Sequence, residues 1–353
     1  MSGAITPGSS EDLSSRLCSF LQRTHNARSV RIDDFRLLTG GASRQTWSFD
    51  AVIEHADGKS EMLSLVLRMD PRTEAGQMSR ETEFALLKAA HEEGVPVAKV
   101  RLMGDESLGA PGFLMERVEG ETIARKLLRD EEYADARQVM TGQLGAILAR
   151  IHAIPVAKHS LDALPTPLPG KSPAETEVDR FEATYRAITP EPHPALELAF
   201  RWLRQNMPPA PVEPTLVHGD YRIGNVIFGP EGVRAILDWE LAHLGDPMED
   251  LGWICVRSWR FGNDDRPVGG LGPRGELWAS YEAAGGRKVD REAVRWWEVF
   301  GSLRWGIICI GQARRAMESP PKEGHAGSHL ELLTIGRRTA ETEWELLNLM
   351  EEA

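Results

Sequence analysis

Residues 216–240 constrain this chain more than any other stretch. Leu216-Val217-His218-Gly219-Asp220-Tyr221-Arg222-Ile223-Gly224-Asn225-Val226-Ile227-Phe228 leads into a Gly229-Pro230-Glu231-Gly232 turn. Ala235-Ile236-Leu237-Asp238-Trp239-Glu240 follows. Short apolar runs bounded by glycine and proline read as buried strands. Two such strands joined by a tight turn would gather Asp220, Asn225 and Asp238. Two carboxylates and an amide so gathered could hold a divalent metal beside a proton acceptor.

The flanking sequence says what frames this stretch. A length of 353 residues fits two domains or one two-lobed unit. Leu13, Leu17, Phe20 and Leu21 have helical spacing over 11–24. A strand from Val30 to Leu38 enters Thr39-Gly40-Gly41-Ala42-Ser43-Arg44, and a second strand runs to Glu54. A third runs from Met62 to Met69 and ends in Val66-Leu67-Arg68. The pattern predicts a helix over 79–93 carrying Glu81 and Glu83, capped by Gly94 with Pro96 beyond. Strands over 95–103 and 112–120 complete a small, mostly antiparallel sheet with one inserted helix. The glycines of the 39–44 turn would let backbone N–H groups approach a phosphate. An ordinary Gly-Gly hairpin accounts for the same residues.

The remainder reads as helices over 134–152, 175–188, 194–206, 274–285, 291–318 and 327–351. Proline- or glycine-rich loops occupy 155–173 and 262–275. Asp246, followed by Pro247 and Glu249, is a natural helix cap, and Asp250 reads as a loop anchor. Nine of the ten tryptophans follow residue 200, which marks the aromatic core of a helical lobe. Gly58-Lys59-Ser60 and Gly170-Lys171-Ser172 resemble the end of a P-loop. Ile53 and Pro165 stand where its first glycine belongs.

Net charge is −12, which argues against nucleic acid and anionic membranes as partners. The three cysteines, Cys18, Cys255 and Cys309, lack metal or disulfide spacing, so a reducing cytoplasm is the simple reading. No apolar run reaches membrane-spanning length, and the N-terminus lacks a signal-peptide pattern.

Phosphoryl transfer from a nucleotide needs a phosphate cradle, a cation on the phosphates, magnesium and an oriented nucleophile. Kinases meet the last two needs with an Asp and an Asn five residues apart and a later metal-binding Asp. Asp220, Asn225 and Asp238 have that spacing. Arg68 on the third strand and Glu81 on the helix stand where kinases place a cation and its partner.

These motifs, together with Gly40-Gly41-Ala42-Ser43, Val95-Pro96-Val97 and Gly245-Asp246-Pro247, resemble the aminoglycoside phosphotransferase superfamily over nearly the whole chain. Within it the sequence is most similar to the kinase-like domains associated with acyl-CoA dehydrogenases. The resemblance implies an α+β, two-lobed, protein-kinase-like fold. Residues 1–112 would form an N-terminal lobe, 113–120 a hinge strand and 121–353 a larger, mainly helical C-terminal lobe. It implies ATP or GTP and Mg²⁺ as cofactors. Asp220 would accept the proton of a substrate hydroxyl, and Asn225 and Asp238 would hold Mg²⁺. Gly41 and Ser43 would cover the phosphates, Arg68 with Glu81 would position them, and the backbone of Glu116 and Val118 would meet the adenine edge. Arg68 stands where lysine is usual. Its planar fork can pair bidentately with Glu81, and Glu83 is the alternative partner.

The expected function is transfer of a γ-phosphate to a hydroxyl of a small molecule. A hydroxyacyl or other lipid-like acceptor is favoured, with a functional link to an acyl-CoA dehydrogenase. The alternatives are an antibiotic phosphotransferase and a non-catalytic nucleotide-binding module. A metal-dependent hydrolase would need more ligands and leaves the glycine-rich turn unexplained. A protein kinase is disfavoured because Asp238-Trp239-Glu240 replaces Asp-Phe-Gly and no Ala-Pro-Glu segment follows.

Overall fold

The computed structural model describes residues 10–38, 45–70, 78–189, 191–318 and 326–351. They form two compact units. The first comprises Met1–Gly120, Val156–Ala163 and Arg234–Leu241; the second comprises Glu121–Pro155, Leu164–Val233 and Ala242–Ala353.

The first unit is built on an antiparallel sheet. Helix α1 (Ser10–Thr24) precedes β1 (Ser29–Leu37), β2 (Gln45–Glu54) and β3 (Ser60–Met69); α2 (Arg80–Glu92), β4 (Val100–Met103) and β5 (Gly112–Glu116) follow. The strand order is β1-β2-β3-β5-β4. Alternation puts Phe49, Ala51 and Ile53 of β2 and Leu65, Leu67 and Met69 of β3 into one core cluster, where Leu17, Phe20 and Leu21 of α1 join them. Helix α2 starts at Ser79, whose hydroxyl accepts the Thr82 N–H. It ends at Gly94, whose φ of +75° closes the turn. The expected strand over 95–103 is shorter than its apolar pattern, because Pro96 cannot donate to a ladder and only Val100–Met103 pairs.

The two later segments of this unit are tied in by named bonds. The Ile236 N–H donates to the Pro96 carbonyl at 2.8 Å. His159 and Lys158 pair with Glu93 at 2.7 and 2.6 Å. The sheet unit is thus discontinuous, with 113–120, 156–163 and 234–241 among its residues.

The second unit is mainly helical. It contains α3 (Ala124–Arg129), α4 (Ala134–His152), α5 (Pro173–Ile188), α6 (Pro194–Gln205) and the strand β6 (Thr215–Val217). Strands β7 (Val226–Gly229) and β8 (Gly232–Ile236) form the hairpin in which the chain passes from this unit to the first. Then come β9 (His243–Gly245), α7 (Met248–Trp253), α8 (Arg274–Ala283), α9 (Arg291–Glu318), α10 (Ala326–Ile335) and α11 (Arg338–Glu351). Short strand β6 pairs with β9 through Thr215–Gly245, Leu216–Leu244 and Val217–His243. Helix α9 is the core, with Trp296, Trp297 and Phe300 almost fully buried. The single helix expected over 327–351 is two, broken at Gly336. A side chain there would meet the Ala313 Cβ at 2.6 Å, so close approach to α9 requires glycine. The α+β class is as expected: an antiparallel-sheet unit and a mainly helical one.

Candidate active site

In the helical unit the site begins where β6 ends. Gly219 has φ +78°, a left-handed turn open to glycine, which lifts the chain from the strand into the loop. The His218 and Gly219 N–H groups donate to the two oxygens of Asp250 at 2.8 and 2.9 Å. Asp250 is fully buried on α7 and also meets His152 Nε2 at 3.1 Å. His152 is held in turn by the Tyr281 hydroxyl, 2.9 Å from Nδ1. Burial alone would raise the Asp250 pKa. The hydrogen bond and charge of His152, with the loop N–H groups, outweigh burial and hold it below the ordinary carboxylate value. His218 is a loop support, since its Nδ1 accepts the Asp220 N–H at 3.2 Å and its ring packs edge-on to Tyr221. Asp246, two residues before α7, accepts the Met248 N–H at 2.9 Å.

The loop carries Asp220 and Asn225 together. Asn225 Nδ2 donates to Asp220 Oδ2 at 2.6 Å and to the Asp220 carbonyl at 2.9 Å. This occupies the amide nitrogen, and the side-chain oxygen of Asn225 keeps no hydrogen bond among the described residues. Arg222 Nε donates to both Asp220 oxygens, at 3.0 and 3.2 Å. Its guanidinium lies over the Trp259 ring, 4.9 Å from the centroid. Gly224 makes this fold-back possible, because a Cβ there would sit 2.3 Å from Arg222 Nη1. Trp253 Nε1 donates to Asp220 Oδ1 at 2.8 Å. Buried Arg304, from α9, donates to the Gly219 carbonyl at 2.7 Å and to Glu249 at 3.2 Å.

In the sheet unit, Arg68 near the end of β3 is bound on two sides. Its Nε lies 2.9 Å from Glu83 Oε1, and its Nη2 donates to Asp238 Oδ1 at 3.1 Å. Burial would weaken the guanidinium's charge, but Glu83 and Asp238 more than compensate and raise its pKa. The partner expected from sequence, Glu81, is not the one used. Glu81 and Glu83 lie about 200° apart around a helix. Glu83 shares the inward face with Leu86, Leu87 and Ala90, whereas Glu81 faces solvent. Buried Arg80 also pairs with Glu83 and, at 3.1 Å, with Asp70. Asp238 follows β8 with φ +64°, a strained value for a residue with a side chain.

Gly41 and Ser43 lie outside the described residues. At the end of β5 the Glu116 N–H donates to the Lys99 carbonyl at 2.9 Å, and its carboxylate pairs with Arg101. Val118 follows in irregular backbone, its amide and carbonyl unbonded among the described residues. Sequence reasoning passed over Trp253, Arg222 and Arg304. Arg222 stood inside the motif; a buried indole's need for a partner was the available signal for Trp253. A cavity of about 530 Å³ lined by Arg137, Asp265, Arg266 and Glu276 contains none of these residues.

The Phosphotransferase enzyme family model matches residues 34–292. The chain belongs to this family. Its members' class is that of small-molecule kinases. The chain is 35% identical over 182 residues to acyl-CoA dehydrogenase family member 10 of Mus musculus, a match covering 50% of this chain and 16% of that protein. It is 27% identical over 167 residues to an aminoglycoside 3'-phosphotransferase of Escherichia coli, covering 45% and 58% of the two chains. The chain thus spans only a fraction of the acyl-CoA dehydrogenase family relatives it matches. Among solved structures, a candidate aminoglycoside phosphotransferase from Ralstonia eutropha JMP134 superposes with TM-score 0.73 at 23% identity, covering 98% and 99%. Spectinomycin phosphotransferase in complex with ADP and spectinomycin gives 0.62 at 15%, covering 96% and 98%. These two likenesses carry the fold. No helix among the described residues is long and apolar enough to cross a membrane.

Proposed function

We propose that this chain transfers the γ-phosphate of ATP or GTP to a hydroxyl of a small molecule, with Asp220 as the proton acceptor. The observation that carries the reading is the Asp220–Asn225 pair. The amide nitrogen is committed to the carboxylate, which leaves the amide oxygen for a cation and fixes the carboxylate beside it. Among the described residues no cluster of three or more His, Cys, Asp or Glu could cage a metal alone. Magnesium does not require such a cage, since it commonly uses one or two protein oxygens alongside phosphate oxygens. Asn225 Oδ1 and the Asp238 carboxylate would each be a suitable ligand. When bound, Mg²⁺ supplies charge neutralisation on the phosphates.

The residues then divide the work. Asp220 would receive the hydroxyl proton as the acceptor oxygen attacks phosphorus. Arg68, anchored on Glu83, would place a fixed positive charge by the nucleotide phosphates. Gly41 and Ser43 would cover them, and the backbone of Glu116 and Val118 would meet the base. The acyl-CoA dehydrogenase names of several relatives favour a hydroxyacyl or lipid-like acceptor and a functional link to such an enzyme. The cytoplasm is the proposed compartment. One observation favours a second reading: Arg68 already binds both Glu83 and Asp238, which would suit a nucleotide-binding module of low turnover.

The test is phosphate transfer from Mg·ATP and Mg·GTP to hydroxyacyl thioesters, sugar and amino alcohols and aminoglycosides. Asp220→Ala should lower transfer by about 10²- to 10⁴-fold and leave nucleotide affinity within a few fold. Transfer by that variant at the wild-type rate would sink the assignment. Nucleotide binding without transfer to any acceptor would favour the module.

A further inference from the structure

We infer that Trp253 is a positioning residue for phosphoryl transfer, its indole N–H fixing the rotamer of the Asp220 carboxylate. The inference rests on the reading of Asp220 as proton acceptor. Asp220 has three side-chain donors. Arg222 is partly exposed and charged, and Asn225 belongs to the same loop. Trp253 differs from both. It comes from a separate element, the C-terminal end of α7, and is 3% exposed. Being neutral, it orients the carboxylate without cancelling the charge that a proton acceptor needs.

Three contacts set where that N–H points. Arg304 covers the Trp253 ring at 4.4 Å from its centroid and, with the same guanidinium, holds the Gly219 carbonyl at 2.7 Å. One buried side chain therefore fixes both the donor's ring and the loop that carries the acceptor. Trp259 packs on Trp253 with centroids 5.2 Å apart. Gly301 of α9 admits the ring edge, since a Cβ there would meet Trp253 Cε3 at 3.2 Å.

Packing alone does not account for the hydrogen bond. Trp259 and Trp305, in the same aromatic cluster, have buried indole nitrogens with no partner among the described residues. The cluster thus tolerates unbonded indoles, and the aimed N–H of Trp253 is a separate feature. Phenylalanine would remove the donor and keep an aromatic ring in the cluster, with some loss of ring volume.

The experiment compares wild type and Trp253→Phe in Mg·ATP turnover, with water as acceptor and with the alcohol panel. A hydrogen bond to a charged group is worth roughly 10- to 100-fold. The expected result is a fall in kcat of that order, KM for ATP within twofold and a thermal midpoint within a few degrees of wild type. Equal kcat for the two proteins would overturn the role and leave the kinase reading intact. Absence of turnover by wild type would overturn the kinase reading and this role together. Indole ¹⁵N–¹H spectra give a readout that needs neither turnover nor that variant. One downfield indole resonance of the wild type should move upfield in Asp220→Ala, and a spectrum with no such change would overturn the inference even if Trp253→Phe does not fold.

Discussion

Glu83 sits between two guanidinium groups, those of Arg68 and Arg80, and is 1% exposed. Removing its charge would leave buried cations short of a partner, at a cost of roughly 3–5 kcal/mol. Glu83→Gln should therefore lower the urea midpoint strongly, whereas Glu81→Gln, on the solvent face, should stay within about 0.5 kcal/mol of wild type. Equal effects would mean that the pairing is misassigned. At this scale the sequence was most readable within one continuous loop. Asp220 and Asn225 are five apart in one loop, and their contact follows from that spacing. The choice between Glu81 and Glu83 was readable in the helix phase, since Glu83 shares i, i+3, i+4 and i+7 spacing with Leu86, Leu87 and Ala90 and Glu81 does not. Trp253 was missed because its partner lies 33 residues earlier in the chain, and a buried indole does not name its acceptor.

Helices α4 and α8 cross at a point that only glycine permits. A Cβ on Gly145 would lie 2.4 Å from the Leu277 carbonyl and 3.0 Å from the Tyr281 N, both backbone atoms. One turn earlier, a Cβ on Gly142 would meet only side-chain atoms, at 3.2 Å or more. Gly145→Ala should force the helices apart and cost about 1–3 kcal/mol by denaturant unfolding. Gly142→Ala should be near neutral or gain up to about 1 kcal/mol from helix propensity. The crossing bears on the site, because Tyr281 on α8 holds His152, which holds Asp250 and the loop. Gly145→Ala should therefore also weaken catalysis. Periodicity marked both ends of α4 and α9, since long apolar stripes carry their own phase. It missed the short α3 and ran through Gly336, where a tertiary contact with α9 overrides a continuous helical pattern.

Over the whole molecule, burial pushes the Cys255 and Cys309 thiols up to about 12 from an ordinary 9.0. Unfolded thiols ionise near pH 9, so between about pH 9 and 12 the folded chain binds more protons than the unfolded one. Stability must then fall as pH rises through that window. The thermal midpoint should drop from pH 9 to 11, and a Cys255→Ala, Cys309→Ala variant should lose less; an equal loss would assign the effect to other groups. A sheet-forming segment followed by a helix-forming one was legible from turn signals and periodicity, and the α+β class was what the family resemblance implied. The true membership of the sheet unit was not, because Val156–Ala163 and Arg234–Leu241 join it through long-range bonds. That membership has a genetic consequence. The chain changes unit five times, so no single cut yields an intact half. A fragment ending at Gly120 would keep Arg68 and lose Asp238, and a fragment beginning at Glu121 would carry Asp238 away from the guanidinium that binds it. Shuffling, truncation or fusion of such a gene is constrained by this interleaving: Arg68 and Asp238 are inherited as a pair only where both segments stay in one chain.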